Sequence, residues 1–244
     1  MLGSILRASL AGGHLCQRAS LGATSIIRTM TSPTNQLATP DDVWSYWFVR
    51  DNHLQTFFGR PDGIDDDIRA RFSSTLEAIK RDESLRARWQ TTPRDTLSLI
   101  VTLDQFSRNM YRGTSTAFEG DALCRDIVRA GLARKVDKEL SRVERMFVYL
   151  PIMHHEDLES QEDIVRLSEQ LAKDKPDEKD ESFIQQSGFP ASEVQTTLEQ
   201  AAHYAKLHRD VIRRFGRYPG RNEALGRTST EEELHALANE KVAF

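Results

Sequence analysis

Cysteine is nearly absent: the 244 residues hold only Cys16 and Cys124. That excludes a disulfide-dense secreted scaffold. With 13 glycines and 8 prolines, the chain is neither collagen-like nor of low complexity. No apolar run reaches the roughly 18 residues that a membrane-spanning helix needs. Basic residues are not in excess. The formal charge is −4 and the pI about 6.0, so non-specific attraction to nucleic acid is not expected. A glycine-rich phosphate loop, a G-x-S-x-G nucleophile elbow and paired Cys-x-x-Cys sites are also missing. What is present is 39% hydrophobic residues, enough for a core and too many for a disordered chain.

Residues 1–31 contain Arg7, Arg18 and Arg28, no acid, and otherwise mainly Ser, Ala, Gly and Leu. This composition predicts a mitochondrial transit segment. Gly12, Gly13, His14 and Gln17 break up any secretory apolar stretch. Translation from Met30 would give a cytoplasmic product instead. Cleavage would leave Cys124 as the sole thiol of a single domain over 32–244. Its helical surroundings, AFEGDALCRDIVRAGL, predict a core residue rather than a nucleophile.

Helix signals dominate the domain. Thr39-Pro40-Asp41-Asp42 and Thr92-Pro93-Arg94-Asp95 each combine a capping hydroxyl, proline at the first helical position and an acid at the third. Ile64, Ile68, Phe72, Leu76 and Ile79 form one face of an amphipathic helix. Ser115 or Thr116 opens another helix, and Ser141-Arg142-Val143-Glu144 is a capping box whose helix Pro151 interrupts. Further helices are predicted from about Glu156 to Leu171 and from Val194 to Phe215, with a short one opening at Thr230. The stretch 173–192 has the charge and proline content of a solvated loop. No alternating strand pattern stands out. The predicted fold class is all-α, built of antiparallel helix hairpins.

Three stretches carry polar residues without an obvious surface role. In LDQFSRNMYRG (103–113), Asp104, Gln105, Arg108 and Asn109 share a helical face that continues an apolar run. They form either a buried network or a site. In LPIMHHEDLESQ (150–161), His154, Glu156, Asp157 and Gln161 offer groups that shuttle protons or activate water. The simpler reading is helix-start chemistry, with His155 at the cap. HHED matches no spaced zinc pattern, so no metal is assigned. In HRDVIRRFGRYPGRNEALGR (208–227), Gly216 suits a left-handed helix end, and Arg214, Arg217, Arg221 and Arg227 surround a Tyr-Pro-Gly turn. Their guanidinium forks match carboxylates or phosphates. They match equally the acid-rich region 156–181 of the same chain, which holds eleven acids.

Together these stretches resemble domain-of-unknown-function family 924. LDQFSRNMYRG is similar to its L-D-Q-F-x-R-N-x-x-R-G segment, LPIMHHEDLESQE to its L-P-x-x-H-S-E-D-L-x-x-Q-E segment, and the 208–227 stretch to its third motif. VWSYWF and IDDDIRARF are similar to its opening. His155 stands where the family has Ser, and Gly220 where an aromatic residue or His is usual. The resemblance implies helix pairs stacked in a tetratricopeptide-like array, and no activity. It aligns Asp104, Gln105, Arg108, Asn109, His154, Glu156, Asp157, Gln161, His208, Arg209, Asp210, Arg217, Arg221 and Asn222 with the family's polar motif positions.

The reading that follows is a small anionic ligand held where the three motifs meet. Asp104, Gln105, Arg108, Asn109, Asp157, Gln161, Arg209, Arg217, Arg221 and Asn222 are the binding candidates. His154, Glu156 and His208 are the candidates for proton transfer. A groove for a peptide or protein partner is the alternative. RNA bound along 204–227, stacking on Tyr204 and Tyr218, is disfavoured by the net charge. The residues name no cofactor and no oligomeric state.

Overall fold

The computed structural model describes residues 36–51, 53–240 and 242. The transit segment predicted over 1–31 lies outside them. The described residues form helices α1 (Pro40–Phe48), α2 (His53–Phe58), α3 (Ile64–Arg81), α4 (Glu83–Arg88), α5 (Pro93–Val101), α6 (Ser107–Met110), α7 (Asp121–Ala133), α8 (Arg142–Met153), α9 (Leu158–Lys173), α10 (Glu178–Ser187), α11 (Ala191–Phe215) and α12 (Glu231–Asn239). No strand occurs among the described residues, and none of their helices is long and apolar enough to cross a membrane.

The predicted caps are in place. The Thr39 and Thr92 hydroxyls accept the N–H of Asp42 and Asp95, opening α1 and α5. Ser141 and Glu144 form the capping box of α8, and Thr230 and Glu233 that of α12. Glu144 also accepts the Trp44 indole N–H at 2.8 Å, so the cap ties α8 to α1. Gly216, at φ 68°, ends α11 in the left-handed region. Residues 115–118 form a 3₁₀ turn, and the following helix begins only at Asp121.

The main core joins Val43, Trp47 and Phe48 of α1 to Phe57, Phe72, Leu97, Phe106 and Phe147 from later elements. Cys124 is fully buried within it, as predicted, and burial pushes its thiol pKa up. A second cluster of Val211, Ile212, Tyr218, Ala236 and Val242 fastens the C-terminal segment to the end of α11. α1 packs on α5, α5 on α8, α8 on α9, and α9 on α11. Contacts such as α1–α5 and α3–α6 reach past the nearest-neighbour pairing of a repeat array. Regular tetratricopeptide-like stacking is therefore not what these contacts establish.

Two local predictions need correction. Residues 173–192 are not one solvated loop, because α10 occupies Glu178–Ser187. Asp177 caps it, and Asp180 turns inward to accept both Nε and backbone N–H of Arg142, at 2.6 and 2.8 Å. Phe183 packs edge-on against Trp44 and Phe48. The charges that read as solvated are partly internal pairs. Pro151 does not break α8 on the spot either. It lies inside the helix, which runs on to Met153. The next N–H, that of His154, bonds back three residues to the Pro151 carbonyl. That tightened last turn sets His154 at the helix end.

Candidate functional site

α5, the turn Thr102–Phe106 and α6 form one continuous right-handed helix whose middle is wound as a wider π turn. Such turns carry one extra residue and recur at functional sites. Here the turn directs Asp104 inward, leaving it 2% exposed. One Asp104 oxygen accepts His154 Nδ1 at 2.7 Å and lies 2.8 Å from Arg108 Nη1. The other accepts Gln105 Nε2 at 2.7 Å. Arg108 continues to Asp121 at 2.9 Å, and Arg221 approaches the same Asp121 oxygen at 3.9 Å. Two guanidinium groups and two carboxylates thus form a compensated cluster behind the imidazole.

Burial raises the Asp104 carboxyl pKa, but Arg108 and His154 overcome this and hold it well below the usual carboxylate range. Asp104 is therefore an acceptor, and His154 Nδ1 donates to it. The lone pair of neutral His154 then resides on Nε2. Burial and the neighbouring Arg108 lower the His154 pKa, although Asp104 opposes them. The ring is thus the neutral base at pH 7. A base held in one tautomer by a buried carboxylate can accept a proton and stabilise the resulting imidazolium.

His154 keeps 16% of its side-chain exposure, and that edge opens on a cleft of about 150 Å³. Gln105, Arg108 and Asn109 from the first motif, His154 from the second and His208 from the third line it together. Trp47, Phe57, Phe58, Leu150 and Met153 supply its apolar walls, with Arg112 at the side. Among the described lining residues there is no carboxylate. His208 Nδ1 donates to the Tyr204 carbonyl at 2.8 Å in the neutral form, and burial lowers the His208 pKa to about 3.

The other candidates lie outside the cleft. Glu156 accepts Arg227 Nη1 at 2.5 Å and the Tyr218 backbone N–H at 2.9 Å. Burial raises its pKa, but these donors bring it below the usual glutamate range. It joins the second and third motifs and is not poised as a base. Asp157, and not His155, caps α9 by accepting the Ser160 N–H at 2.8 Å. Replacing Asp157 with alanine is expected to cost about 1 kcal/mol of stability by loss of that cap. Urea denaturation and ligand titration of the variant would show this loss without a change in cleft affinity.

Gln161 is fully buried and donates to the Met153 and His155 carbonyls. Arg209 pairs with its neighbour Asp210. Arg217 and Asn222 are held by Glu233. Arg221 lies over the Phe118 and Tyr218 rings and donates to the His154 carbonyl at 2.8 Å. It fixes the backbone of the base and does not line the cleft. Trp47 and Arg112 are among the lining residues that the sequence did not point to. Trp47 was legible only as an apolar helix position, while Arg112 stands at the end of the first motif. Among the described residues, no group of three or more His, Cys, Asp or Glu side chains is placed to hold a metal ion.

No curated protein matches the chain. A solved structure of the protein of unknown function ATU0120 from Agrobacterium tumefaciens is similar. The two are 28% identical, with a TM-score of 0.65 over 81% of this chain and 96% of that one. The model of the family described as "Bacterial protein of unknown function (DUF924)" matches residues 43–241. That span covers more than half of the sequence, and the chain belongs to the DUF924 family.

Proposed function

We propose that the cleft binds a small anionic organic molecule and presents it to His154. The observation that carries this reading is the lining itself: three motifs distant in sequence meet there, with two guanidinium groups and no carboxylate among the described residues. Arg108 and Arg112 are the cations facing the ligand. Arg217 and Arg221 leave that role, because neither lines the cleft: Glu233 holds the first, and the second lies against the Phe118 and Tyr218 rings. Thermal-shift screening with phosphate esters, nucleotides and carboxylates tests the proposal. One class is expected to stabilise the chain, by about 2.7 kcal/mol at a hundred times its dissociation constant. Arg112→Gln is expected to weaken that class about tenfold. Stabilisation by none of them, or equal binding by Arg112→Gln, would overturn it.

The Asp104–His154 pair favours a second reading, in which the bound molecule also undergoes proton transfer. His154→Gln would then abolish turnover of a ligand that it still binds. A peptide groove has less support, because the polar motif residues gather round the His154 edge of one cleft. Residues 1–31 keep their proposed role in mitochondrial import. The bacterial family description weighs toward the cytoplasmic product begun at Met30.

A further inference from the structure

We infer that the cleft hydrolyses esters: His154 Nε2 takes a proton from water, and the substrate is a small carboxylic ester that carries one negative charge. This rests on the binding and proton-transfer readings above and names the reaction class.

His154 Nδ1 is committed to Asp104 at 2.7 Å, whereas Nε2 meets no donor among the described residues. The unpaired Nε2 of the neighbouring His155 is closed off from solvent, but that of His154 is not, and 16% of the His154 side chain stays exposed at the cleft. The lone pair is thus fixed in one tautomer and within reach of a water molecule.

The lining decides what that water attacks. Among the described lining residues there is no Ser or Cys, and the one aliphatic hydroxyl, that of Thr56, makes no hydrogen bond to His154. A base without a side-chain nucleophile suits direct attack by water on a reactive carbonyl, that of an ester rather than an amide. Burial and the adjoining Arg108 weaken the ring as a base. That suits a water proton removed in step with C–O bond formation better than a proton removed from carbon. Arg108 is compensated by Asp104 and Asp121, and Arg112 by Asp65, which disfavours a phosphate dianion. Arg112 engages Asp65 and Asn109 through Nε and Nη2, which leaves Nη1 for the single charge of the substrate. Phe57, Phe58, Leu150 and Met153 seat its apolar body.

Water is the only co-reactant. As its oxygen bonds to the ester carbon, one of its protons passes to Nε2 and the carbonyl π pair moves onto oxygen. Arg108, which shares an Asp104 oxygen with His154, is the cation beside that developing charge. Asp104 stays ionised and stabilises the imidazolium. On collapse the bond to the alcohol oxygen breaks, and Nε2–H gives its proton to that oxygen. The alcohol leaves, the new carboxylic acid ionises to solvent, and His154 is neutral again.

The test incubates the full chain with 4-acetoxybenzoate and follows release of 4-hydroxybenzoate. The amide 4-acetamidobenzoate reports binding by thermal shift. The wild type is expected to exceed the uncatalysed rate constant about a hundredfold or more, to run slower in D₂O and to lose rate on acidification as His154 protonates. The charged groups facing that ring are Arg108, Asp104 and Arg221, with His155 and His208 the other titratable neighbours. His154→Gln is expected to lose about a hundredfold in kcat while it still binds 4-acetamidobenzoate. Arg112→Gln is expected to raise KM about tenfold with kcat kept, which decides the matter should His154→Gln not fold. His203→Gln, which removes an exposed imidazole away from the cleft, is expected to change nothing. A rate untouched by His154→Gln, or by Arg112→Gln, would overturn the assignment to the cleft. Acetylated protein in the mass spectrum would overturn the water route. Binding of 4-acetamidobenzoate without hydrolysis of the ester would overturn the reaction and leave the cleft standing as an anion site, whereas neither binding nor hydrolysis would remove the binding reading as well.

Discussion

Replacing Asp104 with alanine is expected to lower stability by about 3–5 kcal/mol, the usual range when one partner of a buried ion pair is removed. Arg108 would lose its 2.8 Å contact, and His154 and Gln105 would lose their acceptor. Asp121 alone would then face both Arg108 and Arg221. The uncompensated charge lies beside a side chain that is 2% exposed, where water cannot take over the missing contacts. Asp104→Asn should cost less, since an amide oxygen still accepts from His154 Nδ1 while the ion pair is gone. Urea midpoints at unchanged m-value measure both. A loss below about 1 kcal/mol for alanine would mean that the cluster is solvated and does not hold the fold together.

Acidification is the second large effect. The denatured chain protonates a histidine near pH 6.5, whereas folded His208 stays neutral until about pH 3. His154 is shifted in the same direction by burial and Arg108. Between those two limits the denatured state binds more protons, so stability falls as pH falls. The slope contributed by His208 approaches about 1.4 kcal/mol per pH unit once pH is well below 6.5. Asp104 adds a loss of the same sign only under more acidic conditions, because its carboxyl pKa is depressed and not raised. Urea unfolding at pH 7, 6, 5 and 4 should show the decline. His208→Asn, which can keep a donor toward the Tyr204 carbonyl, should flatten it. A wild-type stability unchanged from pH 7 to 4 would contradict the burial of both rings.

Local signals carried much of the fold. Thr39-Pro40, Thr92-Pro93, Ser141–Glu144 and Thr230–Glu233 mark helix starts through chemistry confined to four residues, and the structure places caps at each. α10 was not legible because its identity depends on distant partners: Arg142 for Asp180, and Trp44 and Phe48 for Phe183. Charge density alone cannot tell an internal pair from a solvated one. At the site, the meeting of three polar motifs could be anticipated, but the division of labour within them could not. Arg217 and Asn222 look in sequence like ligand contacts, and only the fold sets Glu233 beside them. Trp47 is hidden for the opposite reason. Its apolar bulk explains its position in the core, and its place on the cleft wall is set by elements far along the chain.

The widened turn at Thr102–Phe106 has a consequence for how this sequence can vary. Deleting one residue there would let the backbone regain ordinary α geometry, a local gain in hydrogen bonding. It would also swivel everything downstream by about 100°, carrying Arg108 and Asn109 off the cleft. Point substitutions at the surface are therefore tolerable in this segment while changes of length are not, and the interval from Pro93 to Met110 acts as a ruler whose count of residues is itself a functional trait.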